Sequence, residues 1–291
     1  MSVDFSKPIL VTGASGKTGR AVIGNLVKAG AHVRAFVRRA EAGDELVAAG
    51  AREFFLGDLQ DAAALRQAVS GVEQVIHISP PMHPAEDEIT QRLIGDCVQE
   101  SVARLVLYSV LHPAVDVPHH QRKARAELAL IDSGLPYTIL QPCRYMQHLL
   151  PIWKQVVENG VHAMPFGVDA KFSLVDMKDL AEAASRVLTQ AGHEFATYQL
   201  CGPQLLSQRD CAQILGAYLG REVRAEEKPL DAFRAEAEKS GMPDWRIATM
   251  TKMNAHYGAH GLIGNPNVLR WVLGREPTTF ESFVATQFPR A

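Results

Sequence analysis

Four groups of residues carry chemistry in their type and spacing. The first is Thr12-Gly13-Ala14-Ser15-Gly16-Lys17-Thr18-Gly19, a glycine turn that follows the apolar run Ile9-Leu10-Val11. A turn of this kind leads into a helix whose first N–H groups have no partner within the helix and are free to hold phosphate. Gly13 suits the tight turn, Gly16 lets backbone approach a pyrophosphate, and Gly19 lets the helix pack closely on the strand. Ser15, Lys17 and Thr18 share the loop and join the candidate cofactor-binding set. Gly16-Lys17-Thr18 also resembles the end of a nucleotide-triphosphate loop. That motif needs a glycine five residues before Gly16, where Val11 stands.

The second group is Arg38-Arg39, after the apolar stretch that ends at Phe36-Val37. An NAD site normally has an acid here to hold the ribose hydroxyls. Guanidinium groups instead suit a 2′-phosphate, so the position favours NADP, with Arg38, first after the strand, the better candidate. Glu41 is a weak counter-signal, and the plainer alternative is that the arginines only solvate a strand end. The third group falls at the next strand ends. Asp58-Leu59 suits an adenine wall, and Ser79 follows Val75-Ile76-His77-Ile78. Asp58 or Asp61 could equally cap the helix that follows. His77 lies within a strand pattern and reads as packed. The fourth group is Ser109, His119 and Lys123. Ser109, at a strand end, is expected to face a nicotinamide. Lys123, on the following helix, is expected to hold its ribose. His119 lies four residues earlier on the same helical face and could supply a proton or orient a substrate. Pro142, with Cys143, Arg144 and Tyr145 behind it, is expected to border the pocket.

These residues need a scaffold that brings strand ends together. Hydrophobic periodicity predicts strands near residues 9–11, 31–37, 53–58, 74–79, 104–110 and 137–142. Helices alternate with them, closed at Gly30, Gly50, Gly71 and Gly134. This alternation implies an α/β fold, a Rossmann-type doubly wound parallel sheet. Tyr145 to Val157 is expected to be helical with a kink or restart at Pro151. Beyond Gly160 the rhythm loosens into a smaller C-terminal α/β lobe. That lobe holds a strand near 171–175, a helix capped around Asp176–Asp179, and a helix opening at Ser207 with Asp210 in its first turn. A last helix is capped by Thr279. The expected division is a nucleotide-binding domain over 1–150, with 170–200 returning to its sheet. A substrate-binding lobe is expected from 151–169 and 201–291. Met1 to Lys7 reads as a loose lead-in.

Composition sets the outer bounds. A net charge of −2 gives no steering toward nucleic acid. No stretch of about twenty apolar residues and no signal-like leader is present, so a cytoplasmic protein acting without a membrane is expected. The four cysteines, Cys97, Cys143, Cys201 and Cys211, form no CxxC pair and read as buried thiols, with no metal site expected.

Taken in order, Thr12 to Gly19, Arg38, Asp58-Leu59, the strand ending at Ser109, Lys123 and Leu135-Pro136-Tyr137-Thr138-Ile139-Leu140-Gln141-Pro142 resemble the NmrA-like family of atypical short-chain dehydrogenases/reductases. The likeness is closest to its bacterial NADPH–quinone reductase-like members. Phe172 to Ala184 also looks familial. The resemblance implies NADP as cofactor and a small conjugated organic substrate, a quinone, enone or similar compound, reduced by hydride transfer. It also implies an alternative, a non-enzymatic NADP(H) sensor with a regulatory role. Ordinary short-chain enzymes carry Tyr-x-x-x-Lys. Matching Lys123 to that lysine puts His119 where the tyrosine would stand, which disfavours standard alcohol dehydrogenation. Either a monomer or a homodimer is compatible with these features.

Overall fold

The computed structural model describes residues 6–289. Most of the expected lead-in, residues 1–5, therefore lies outside the described residues. Two compact units are present. The first takes in the described part of Met1–Ala114 together with His120–Gln141 and Leu180–Tyr198. The second comprises Val115–His119, Pro142–Asp179 and Gln199–Ala291, as far as these are described.

The first unit is built from β1 (Ile9–Val11), α1 (Lys17–Lys28), β2 (Val33–Val37), α2 (Ala40–Ala48), β3 (Glu53–Leu56), α3 (Ala62–Val69), β4 (Gln74–His77), α4 (Glu86–Gln99) and β5 (Arg104–Tyr108). Most of α5 (Pro118–Asp132) and β6 (Tyr137–Pro142) completes the alternation. The sheet, whose seventh strand is Ala196–Leu200, runs β3-β2-β1-β4-β5-β6 and then that strand. The pairs β1–β2, β1–β4, β2–β3, β4–β5 and β5–β6 are parallel. This is the Rossmann-type doubly wound order expected from the alternating pattern, and its strand order reverses between β1 and β4. Every residue of β1, β4 and β5 is buried, as parallel strands covered on both faces must be. Leu10, Val75, Leu105 and Ile139 from the strands pack in one cluster with Leu65, Leu93 and Leu130 from α3, α4 and α5.

The second unit has smaller sheets. After β7 (Arg144–Tyr145) come a 3-10 turn at Met146–Ile152, α6 (Trp153–Asn159), β8 (Val161–Met164), β9 (Phe172–Val175) and α7 (Met177–Thr189), whose body returns to the first unit. The remaining elements are β10 (Ala196–Leu200), β11 (Leu205–Leu206), α8 (Gln208–Leu219), β12 (Arg224–Glu227), α9 (Leu230–Lys239), α10 (Asp244–His260), α11 (Asn267–Leu273) and α12 (Phe280–Gln287). β9 sits between antiparallel β11 and parallel β7, while β8 pairs with β12. The helical stretch expected over Tyr145–Val157, with a kink or restart at Pro151, begins one residue later, after Tyr145 in β7, and is divided. Its first part is 3-10 and contains Pro151, which cannot donate to an α-helical ladder, and the α-helix begins at Trp153. Strand β8 and helix α11 were not anticipated from the sequence, being short and weakly patterned. The expected caps are present. Ser207 and Asp210 form a reciprocal capping box, and Thr279 accepts from Ser282 N–H. No helix among the described residues is long and apolar enough to cross a membrane.

Candidate functional site

The glycine turn follows β1 at the reversal of strand order. Gly13 has φ +61°, and a Cβ there would lie 2.5 Å from the Ile78 carbonyl oxygen in the segment after β4. A Cβ on Gly19 would lie 2.3 Å from the Gly13 oxygen and 2.8 Å from Ala14 Cα. Gly13 and Gly19 are therefore required by backbone shape and contact; Gly19 packs on the turn just beyond β1. Gly16 differs. Its φ is −72°, and a Cβ would meet only the Gly13 oxygen, at 3.2 Å. Its value is clearance on the outer side, where Ser15, Gly16 and Lys17 are exposed. Thr18 is half-buried behind them. No side chain caps α1, so the donors of its first turn remain available to an anion. Arg20, which sequence reasoning missed, braces the loop. Its Nε donates to Ser15 O at 3.0 Å and its Nη2 to Glu45 at 2.6 Å.

Arg38 and Arg39 follow β2, and both are exposed. Arg38 has no carboxylate partner among the described residues, and Glu41 enters the first turn of α2 without pairing to it. After β3, Asp58 Oδ1 accepts from Gln60 N–H, while Asp61 caps α3 through Ala63 and Ala64 N–H. Of the two candidate caps, Asp61 is the one used. Leu59 is largely buried in the core cluster.

Beneath the turn lies a buried polar network. His77 Nδ1 is 2.8 Å from Thr12 Oγ1 and its Nε2 is 3.1 Å from Thr90 Oγ1. The Thr90 hydroxyl donates to Glu86 O at 2.8 Å, so it must accept from His77. That assigns the proton to Nε2 and makes Nδ1 the acceptor from Thr12. Burial, and the positive charge of Lys123, hold His77 down to about 3. It is a neutral packed residue, as its strand position suggested.

Lys123 comes next in the network. Its ammonium lies 2.6 Å from Glu86 Oε1, 2.6 Å from Ser79 Oγ and 2.8 Å from Tyr108 O. Ser79 in turn donates to Glu86 Oε1 at 2.5 Å. An ammonium has three protons, and all three have protein partners here. The expected ribose contact thus requires Lys123 to release one of them, or to act through Ser79. One turn along α5, Glu127 accepts from the Ser109 hydroxyl by a short bond, and from the Gln141 amide at 2.9 and 3.0 Å. Burial raises the Glu127 pKa, opposed by hydrogen bonds from Ser109 and Gln141 and by the charge of Lys123. Ser109, expected to face a nicotinamide, is largely buried and committed to this carboxylate.

His119 lies one turn before Lys123 on α5 and is largely buried. It falls within the second unit, whereas Lys123 falls within the first. His120 is fully buried, with Nδ1 on His112 O at 2.9 Å. Pro142 closes β6 and is buried. The structure thus brings together Ser79, Lys123 and two acids that sequence reasoning missed, Glu86 and Glu127. Glu127 had a signal, its i+4 spacing from Lys123. Glu86 had only its place in the first turn of α4.

The family model described as "NmrA-like family" matches residues 6–285. An NAD(P)H azoreductase of Xenophilus azovorans is 31% identical over 277 residues, covering 94% of this chain and 96% of that protein. A (4-alkanoyl-5-oxo-2,5-dihydrofuran-3-yl)methyl phosphate reductase of Streptomyces griseus is 34% identical over 228 residues, covering 78% and 79%. The crystal structure of an NADPH-dependent quinone oxidoreductase from Escherichia coli, complexed with NADPH, superposes with a TM-score of 0.86 at 28% identity, covering 96% of this chain and 99% of that one. With its glycine turn, strand order and near full-length match, the chain belongs to the NmrA-like family.

Proposed function

We propose that this protein is an NADPH-dependent reductase that transfers hydride to a quinone, an enone or a similar small conjugated acceptor. The observation that carries the reading is the open, uncapped start of α1 beside Gly16, with Arg38, which has no carboxylate partner among the described residues, at the end of β2. The site fits a dinucleotide, because Gly16 is exposed and carries no side chain beside the first N–H groups of α1, where phosphate must approach. The N–H groups of α1 hold the pyrophosphate, and Arg38 takes the 2′-phosphate as a charged fork. Asp58 and Leu59 border the adenine. NADPH, when bound, supplies the hydride. Glu86 and Ser79 fix the Lys123 ammonium at one place, from which it orients the ribose directly or through Ser79. A conjugated acceptor spreads the incoming charge over its own π-system and asks less of a protein acid, which suits a site with His119 where a tyrosine is usual. The azoreductase and quinone oxidoreductase relatives support the same substrate class.

The test is NADPH binding followed by NADPH consumption with a panel of quinones, enones and azo compounds. Saturable binding with turnover of at least one class is expected. Tight binding with no turnover across the panel would replace the reductase reading with that of a non-catalytic NADP(H) sensor.

A further inference from the structure

Helix α10, in the second unit, carries two histidines that take no part in the proposed reductase chemistry. His256 and His260 stand four residues apart, one turn along the same face of the helix. Their ring centres are 4.7 Å apart, with the planes tilted by 46°. His256 is half-buried, and His260, in the last turn, is exposed. Neither ring has a hydrogen bond or ion pair among the described residues. Partial burial and the neighbouring His260 lower the His256 pKa, with Asp116 opposing them and Lys252 adding to them. His256 is therefore a neutral ring at neutral pH, with one nitrogen lone pair open to a ligand.

Two open imidazoles at this spacing suit a transition-metal ion. A ring that binds through one nitrogen, with the metal about 2.0–2.1 Å away in the ring plane, has its centre about 3.2 Å from the metal. Two such rings have centres about 4.5 Å apart when they meet the metal at a right angle, and about 5.2 Å apart at the tetrahedral angle. The observed 4.7 Å lies closer to the right-angle value. Right-angle donor pairs belong to tetragonal Cu(II) and Ni(II), whereas Zn(II) favours the tetrahedral arrangement. Copper(II) also heads the affinity order for nitrogen ligands. No group of three or more His, Cys, Asp or Glu among the described residues forms a metal cage, so water fills the remaining positions. Lys252, one turn before His256, is held by Asp116 at 2.9 Å, which answers its positive charge.

We propose that His256 and His260 form a surface binding site for a divalent copper ion, held by one nitrogen of each ring and completed by water. Both ligands sit on successive turns of one helix, so once the first binds, the second is already at hand and chelation needs no change of fold. A bound ion ties the last turn of α10 to the turn before it, next to Gly261 where the helix ends. The inference rests on the second unit alone and is independent of the reductase reading.

The test titrates the 291-residue chain, free of nucleotide, with Cu²⁺. One ion should bind per chain ahead of any other, with an electron paramagnetic resonance spectrum showing coupling to two imidazole nitrogens. In NMR, substoichiometric Cu²⁺ should broaden the ring signals of His256 and His260 before those of any other histidine. Mg²⁺, a hard cation that prefers oxygen, should leave those signals unchanged. His256→Gln and His260→Gln should each weaken binding at least about tenfold, because either leaves a single ligand. Circular dichroism establishes that each variant is folded. The proposal fails if no Cu²⁺ binds, if other histidines broaden first, if Mg²⁺ reproduces the effect, or if either folded variant binds Cu²⁺ as tightly as wild type.

Discussion

Lys123 and Glu86 form a buried ion pair at 2.6 Å, with side chains 12% and 1% exposed, and Ser79 donates to the same carboxylate oxygen. The lysine that a ribose would need is thus set by an acid 37 positions earlier in the chain. Breaking a buried pair strands the remaining charge. Glu86→Leu should cost about 3–5 kcal/mol in urea unfolding, and Lys123→Met a similar amount. The double variant should lose much less than the two single losses combined, because neither charge is then left alone. Additive losses would show that the two residues act separately.

The three glycines should separate into two classes. Gly13→Ala and Gly19→Ala push a Cβ into backbone at 2.5 and 2.3 Å, and Gly13 also has φ +61°. Both should lower the melting temperature markedly, each through a loss of order 1–3 kcal/mol. Gly16→Ala meets a single atom at 3.2 Å and should melt near wild type. Its NADPH affinity should nevertheless fall, because its methyl group occupies the phosphate approach. Calorimetry and cofactor titration on the same three proteins distinguish the classes.

Arg38 is exposed and has no carboxylate partner among the described residues, so removing it should leave the fold intact. Arg38→Ala should weaken NADPH binding by about 10- to 100-fold, the worth of one charge-assisted contact, and leave NADH binding nearly unchanged. Equal losses for both cofactors would remove the 2′-phosphate assignment.

His77 makes stability acid-sensitive. Its folded pKa is depressed from 6.5 to about 3, so between these values the unfolded chain binds a proton that the native protein does not. Stability should therefore be complete above about pH 6.5 and fall as pH drops toward 3, by up to about 5 kcal/mol from this group. His77→Gln should flatten that slope in chemical unfolding measured across the range. An unchanged slope would assign the acid sensitivity to other groups.

The glycine turn and the end of β2, where the cofactor is proposed to bind, were legible in the sequence because their determinants are local. The turn from Thr12 to Gly19 and Arg38 after β2 are each set within a few residues by hydrophobic period and backbone need. The lysine end was not. Glu86 meets Lys123, and Gln141 meets Glu127, only through the stacking of β4, β5 and β6, and no spacing rule reports such meetings. Ser109 was placed correctly at the end of β5, but its hydroxyl partner on α5 could not be read from the strand.

The hydrogen bonds from Thr12 through His77 and Thr90 to Glu86 O all point one way, because the neutral imidazole has one proton to give. Such a chain has a single polarity. No hydroxyl in it can be reversed without reversing its neighbours or leaving a buried group bare. The threonine that begins the glycine turn and the helix that carries Glu86 are in this sense read together, and losing any one of Thr12, His77 or Thr90 forfeits most of what all of them contribute. Redesign of this region must therefore keep or replace these residues together.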